Sequence, residues 1–114
     1  MAAPVDNNAS RVIDRFRYDL EMYKLQVEDP IMETLRQEGL LTVWDMEVIN
    51  EGPTPADRMR SLIHNMSHRV TTKNFQVLLR VVYEDMGMPA VRKAMAHAYD
   101  ELNRTTCVID MKGV

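Results

Sequence analysis

The chain has 114 residues, which is enough for one domain with one hydrophobic core. Its apolar fraction of 46% and charged fraction of 27% are those of an ordinary soluble globular domain. Ten methionines accompany only two phenylalanines and one tryptophan, with four glycines and five prolines. Methionine is a strong helix former and an adaptable core residue, so this balance favours helices over a many-stranded sheet.

The net charge of −3 conceals two segments of opposite sign. Residues 28–57 contain eight acidic residues and one basic residue, whereas residues 58–93 contain seven basic and two acidic residues. Residues 1–27 are neutral, and residues 94–114 have a net charge of −1. An acidic second quarter next to a basic third quarter predicts two surfaces of opposite charge.

The first three helices are predicted from apolar periodicity and capping residues. Residues 1–8 are small and polar, and we expect them to be flexible. A helix follows from Ser10, whose apolar side chains recur at spacings of three and four. Asp29 and Pro30 begin a second helix that ends near Gly39. A capping box formed by Thr42 and Asp45 begins a third helix, which Gly52 ends.

Three more helices complete the expected fold. Thr54 and Pro55 begin the fourth helix, because a capping hydroxyl precedes a proline at the first helical position. Thr71 or Thr72 caps the fifth helix, and Pro89 begins the sixth. The apolar pattern ends at residue 103, so we expect residues 9–103 to form the domain and residues 104–114 a tail or linker. Six helices that are joined by short loops predict an all-α antiparallel bundle, in which neighbouring helices pack side by side.

The sequence contains no recognisable catalytic or nucleotide-binding motif. No glycine-rich loop precedes a helix. His64 and His68 lie four residues apart on the predicted fourth helix, but no further clustered ligand follows, so we interpret them as solvated histidines. Cys107 is the single cysteine and has no nucleophile signature around it. We therefore expect no enzyme activity, no cofactor and no metal site. The sequence shows no leader or membrane-spanning segment, so we expect a reducing compartment, either cytosol or nucleus, and predict the cytoplasm.

The residues from Ile31 to Thr54 resemble a known family. Within them, Gly39 is followed by an apolar pair and Thr42, then by an acidic helix, and Pro53 with Thr54 forms the turn into the next helix. This order is similar to the second-to-fourth-helix region of caspase-recruitment domains (CARDs), of the death-fold superfamily. The resemblance covers about residues 10–103. It implies a homotypic adaptor domain that binds other CARD-containing proteins, such as a caspase, adaptor or receptor, in apoptotic or inflammatory signalling.

The resemblance also implies two charged binding faces. The implied basic face comprises Arg11, Arg15, Arg17, Arg58 and Arg60. The implied acidic face comprises Glu33, Glu38, Asp45 and Glu47. Trp44 is a candidate anchor, since tryptophan is enriched at interface hot spots, although it could instead cover the end of the core. Self-association through these faces is also expected, whereas a membrane partner is not.

Two other classes stay open from the sequence. Another death-fold module, of the death, death-effector or pyrin type, would have the same bundle with different faces. A nucleic-acid-binding helical domain could use the basic segment of residues 58–93. The adjacent acidic segment would repel phosphate, and no aromatic residues alternate with the basic ones, so this alternative is the weaker.

Overall fold

The computed structural model describes the backbone of residues 4–112 and the side chains of residues 4–105. Within this part of the chain all regular structure is helical. The helices are α1 (Asn7–Arg15), α2 (Arg17–Leu20), α3 (Pro30–Gln37), α4 (Val43–Asn50), α5 (Pro55–Ser67), α6 (Thr72–Glu84) and α7 (Pro89–Lys112). The expected all-α bundle is confirmed.

The predicted capping residues begin four of these helices. The Asp29 carboxylate accepts a hydrogen bond from the Ile31 N–H at the start of α3. Thr54 begins α5, and capping boxes begin α4 and α6. Each cap satisfies backbone N–H groups that have no partner within the helix. The local sequence therefore determines where these helices begin.

Gly39 ends α3 as expected, in a left-handed conformation with φ of +83°. The Leu40 N–H donates to the Leu35 carbonyl oxygen, as in a Schellman motif. Glycine accepts this conformation without the steric cost that a Cβ atom imposes.

The first predicted helix is divided into two segments, α1 and α2. Phe16 separates them, with φ of −100° and ψ of 12°, which lies outside the helical range. The bundle accordingly has seven helical segments within residues 4–112, in place of six. The half-buried Phe16 packs against the core, so the chain bends without losing its apolar contact.

The N-terminal segment is attached to the bundle earlier than the sequence indicated. Helix α1 begins at Asn7, not Ser10, because Asp6 caps it through the Ala9 N–H. The Asp6 carboxylate also accepts hydrogen bonds from the hydroxyl groups of Thr72 and Tyr99, at 2.8 and 2.5 Å. These hydrogen bonds lower the pKa of Asp6 although burial alone would raise it. Asp6 and the start of α1 are therefore held against α6 and α7.

Helix α7 continues past Asn103 to Lys112, so the backbone of residues 104–112 is helical. The helix was expected to end at residue 103 because the apolar periodicity ends there. That periodicity indicates which residues pack against the core, and the hydrogen-bonded turns of the backbone continue beyond it. Whether residues 104–114 act as a linker stays a prediction. Cys107 lies outside the residues whose side chains are described.

One apolar core joins all of the helices. Helix α5 packs against α1, α2 and α4, while α7 packs against α1 and α6. Phe75 is fully buried, with its ring centroid 4.6 Å from that of Tyr99 on α7. The buried side chains of this core include Leu20, Leu35, Ile49, Leu62, Ile63, Phe75, Leu78 and Met95, whereas Phe16 is half-buried. This core leaves the outer sides of α2, α3, α4 and α5 for other contacts.

Candidate protein-binding surfaces

Helices α3 and α4 border an open groove of about 430 Å³, hereafter the α3–α4 groove. Two predicted acidic residues, Glu33 and Glu47, line it together with Glu28. Arg36 is its single basic side chain and donates hydrogen bonds to Glu33, which lower the pKa of that carboxyl group. Acidic side chains therefore outnumber basic ones here, as the sequence predicted for this region.

Glu28 is a member of this groove that sequence reasoning did not identify. Its φ of +58° lies in the left-handed region, which non-glycine residues rarely adopt. The Glu28 N–H donates to the Asn50 side-chain oxygen at 2.9 Å, so the end of α4 holds the loop in place. The residues are 22 positions apart, and no local pattern in the sequence indicates this contact.

Asp29 also lines the α3–α4 groove but is already engaged. Its carboxylate accepts a hydrogen bond from the Tyr23 hydroxyl at 3.0 Å besides capping α3. Burial and this hydrogen bond raise the pKa of Tyr23 to about 12. Asp29 is buried, so its role is structural.

A second groove, hereafter the α2–α5 groove, brings together Arg17 and Arg60. Arg60 forms an ion pair with Asp57 at 3.0 Å and lies 3.6 Å from a carboxylate oxygen of Glu21. The Arg17 guanidinium lies over the ring of its neighbour Tyr18, 5.0 Å from the centroid. The family resemblance implied one face for these two arginines, and both line this groove.

The α2–α5 groove is mixed in charge. Asp14 and Glu21 line it beside the two arginines, together with His64. The acidic pair offsets part of the positive charge, which counting charges along the chain did not reveal. Arg11 and Arg15 are exposed on α1 but do not line this groove.

The assignment of Arg58 to the basic face is wrong, because its side chain is buried. Arg58 is 8% exposed. Its guanidinium donates to the Leu25 carbonyl oxygen at 2.7 Å and to the Gly52 carbonyl oxygen at 2.8 Å. A Cβ atom on Gly52 would lie 2.9 Å from Arg58 Cγ, so glycine permits this close approach. Arg58 joins two connecting segments to α5, and its burial leaves little of its side chain accessible to a partner protein.

Asp45 is likewise not available on the acidic face. It is 4% exposed, accepts the Thr42 N–H within the capping box, and forms an ion pair with Arg69 at 2.5 Å. Burial raises the pKa of Asp45, but the hydrogen bonds from Arg69 and Thr42 outweigh it, so the pKa is lowered. This carboxylate links α4 to the segment that follows α5.

Glu38 is exposed but separate from Glu33 and Glu47. It lies at the C-terminal end of α3 and lines a different depression with His68 and Arg69. Since Glu38 lies apart from the α3–α4 groove and Asp45 is buried, the four predicted acidic residues do not form one continuous face.

Trp44 does not cover the end of the core. It is 71% exposed on the outer side of α4, with Val43 and Val48 also exposed nearby. Glu47 lies on the same helix next to these apolar side chains. Such an exposed apolar strip beside a charged groove is typical of a contact surface. Its role as an anchor stays a prediction.

The described residues contain no group of three or more histidine, cysteine or acidic side chains placed to hold a metal ion. None of the helices, over the part of the chain that was described, is both long and apolar enough to cross a membrane. Together with the two charged grooves, the helical bundle defines a class of protein-interaction domain.

The comparison with protein families agrees with this classification. Residues 12–97 match the model of the caspase recruitment domain, so the chain belongs to the CARD family. This is a family of homotypic protein–protein interaction domains that bind other CARD-containing proteins, and it is not an enzyme family. Comparison with curated proteins and with solved structures gave no match.

Proposed function

We propose that this CARD associates head to tail, both with other CARD-containing proteins and with copies of itself. The α2–α5 groove of one domain docks against the α3–α4 groove of the next. The assembly brings caspases or kinases together in cytoplasmic apoptotic or inflammatory signalling. The observation that carries this proposal is the excess of carboxylates in the α3–α4 groove, where Glu28, Glu33 and Glu47 face a single arginine.

The two grooves are non-identical surfaces on different helices. A contact between unlike surfaces leaves one of each free at the two ends of any complex that does not close into a ring. Such a contact continues into an open helical array whenever the rotation between copies does not close a ring. This geometry accounts for recruitment, because each added domain extends the same array.

Charge complementarity orients the docking, and apolar contacts contribute affinity. Arg17 and Arg60 provide the positive charges in one groove. Asp14 and Glu21 offset part of this positive charge. The two arginines should therefore favour a partner with a specific arrangement of carboxylates over a partner that is merely acidic. Trp44 and Val48 on one side, and Tyr18 on the other, are exposed side chains beside the two grooves. Exposed aromatic residues of this kind bury large areas on binding.

Charge reversal tests the proposal. Arg60→Glu should abolish self-association, because like charges at an interface cost several kcal/mol, about a hundredfold or more in affinity. Glu47→Arg should do the same from the other groove. Matched controls are Lys93→Glu and Asp100→Arg, which reverse exposed charges on α7 away from both grooves. Light scattering would measure association, with circular dichroism as the control for folding.

The mixture of the two variants provides the sharper result. Arg60→Glu keeps an intact α3–α4 groove, and Glu47→Arg keeps an intact α2–α5 groove, so together they should form a heterodimer that neither forms alone. High salt should slow the association of the wild-type chain. If both variants fold and associate like the wild type, then these grooves are only solvated surfaces.

A further inference from the structure

His64 on α5 and His68, the C-cap residue of this helix whose backbone is still right-handed helical, form a pair of exposed imidazoles. Their ring centroids are 4.6 Å apart, in an edge-to-face arrangement with an interplanar angle of 87°. Among the described residues, neither ring has another hydrogen-bond or ion-pair partner. Histidines four residues apart project from the same face of a helix, as they do in zinc sites built on one helix.

The separation of the rings suits chelation of one cation. Metal–nitrogen distances of about 2.0–2.1 Å place two cis-coordinated imidazole centroids roughly 4.5–5.2 Å apart. The observed separation lies at the short end of this range. Both side chains are exposed, so rotation about their own torsions can turn one nitrogen of each ring towards a shared cation without moving the backbone.

The surroundings of the pair contain carboxylates as well as arginines. His64 lines the α2–α5 groove, where Asp14 and Glu21 offset part of the charge of Arg17 and Arg60, and His68 lines the depression that contains Glu38 and Arg69. Neutral imidazole nitrogens prefer borderline transition metals, whereas Mg²⁺ and Ca²⁺ prefer oxygen ligands. We propose that His64 and His68 form a two-ligand site for Cu²⁺ or Zn²⁺, with water in the remaining coordination positions.

A bound cation would affect docking, and this consequence rests on the proposed function. The cation adds two positive charges at the His64 edge of the α2–α5 groove, and its water-filled positions accept a carboxylate. Carboxylates of the α3–α4 groove of a second copy would then dock more tightly. Metal binding thus provides a means of strengthening the head-to-tail contact.

Isothermal titration calorimetry of the 114-residue chain with CuCl₂, ZnCl₂ or MgCl₂ tests the site. All proteins carry Cys107→Ser, so that the thiol does not bind the metal. Replacing an outer-shell partner of a metal site already costs about 10–100-fold in affinity, so His64→Ala and His68→Ala should each cost at least tenfold. The matched control is His97→Ala, which removes an exposed histidine on α7 that lies 3.5 Å from a Glu101 oxygen.

Each outcome is informative. Binding of one Cu²⁺ or Zn²⁺ that is lost in both pair variants but kept in His97→Ala supports the site. An electron paramagnetic resonance spectrum showing two nitrogen ligands to Cu²⁺ supports it further. No binding, binding that depends on His97, or equal binding of Mg²⁺ overturns it.

Light scattering with and without ZnCl₂ tests the consequence separately. If Zn²⁺ binds to the pair but leaves self-association unchanged, the consequence for docking is wrong while the site stands. If the charge reversals of Arg60 and Glu47 also leave association unchanged, the proposed docking itself is wrong.

Discussion

Replacing Arg58 with methionine tests whether its buried guanidinium stabilises the fold. The substitution keeps most of the apolar stem but removes the hydrogen bonds to the carbonyl oxygens of Leu25 and Gly52. A hydrogen bond involving a charged group contributes about 1.5–3 kcal/mol. Removing the guanidinium also removes the cost of burying its charge, so we expect a net loss of about 2–3 kcal/mol in the free energy of unfolding.

Urea unfolding followed by circular dichroism measures this loss. The matched control is Arg60→Met, which removes a guanidinium that is 60% exposed from the same helix. Exposed ion pairs contribute about 0–1 kcal/mol, so this control should unfold at nearly the wild-type urea concentration. If Arg58→Met destabilises the chain no more than Arg60→Met does, the two backbone hydrogen bonds have no structural importance and Arg58 returns to the candidate binding residues.

Two further predictions concern Trp44 and Asp45. Trp44→Ala should weaken self-association by roughly 2 kcal/mol, about thirtyfold, with no loss of folding. The control Tyr83→Ala removes an exposed aromatic residue outside both grooves and should leave self-association unchanged. Equal effects of the two substitutions in light scattering would refute an anchor role for Trp44. The pKa of Asp45 is lowered in the folded chain, so its stabilisation is complete above the ordinary value of 3.8 and is lost as the pH falls through the folded value. Asp45→Asn should therefore unfold at a lower urea concentration than the wild type at about pH 7. Between about pH 4 and pH 2, where carboxyl groups take up protons, it should lose less stability than the wild type. Parallel pH profiles of stability for the two proteins would contradict this assignment.

Local signals in the sequence were sufficient for most helix boundaries. The caps at Asp29, Thr42, Thr54 and Thr71 depend on side chains that bond to backbone groups two or three residues away. These bonds form within one helical turn, so the sequence order alone specifies them. The start of α1 differed because Asp6 is also held by Thr72 and Tyr99, which are distant in sequence.

The candidate surfaces were predicted less completely than the helices. The family resemblance indicated Arg17, Arg60, Glu33 and Glu47, all of which are exposed and line the two grooves. It could not separate these residues from Arg58, since a buried arginine and an exposed arginine have the same chemical identity in a sequence. Arg58 is buried because two carbonyl oxygens from other segments approach α5.

The sequence by itself determined the class of fold, the order of the helices and the separation of acidic from basic segments. These properties follow from apolar periodicity, capping and composition, which act over a few residues. Only the tertiary structure decided which charges reach solvent and which neighbours offset them. Asp45 pairs with Arg69 across 24 positions, and Asp14 with Glu21 enters the groove of Arg17 and Arg60. Such contacts depend on how the helices pack, because distance in space and not along the chain sets electrostatic interaction.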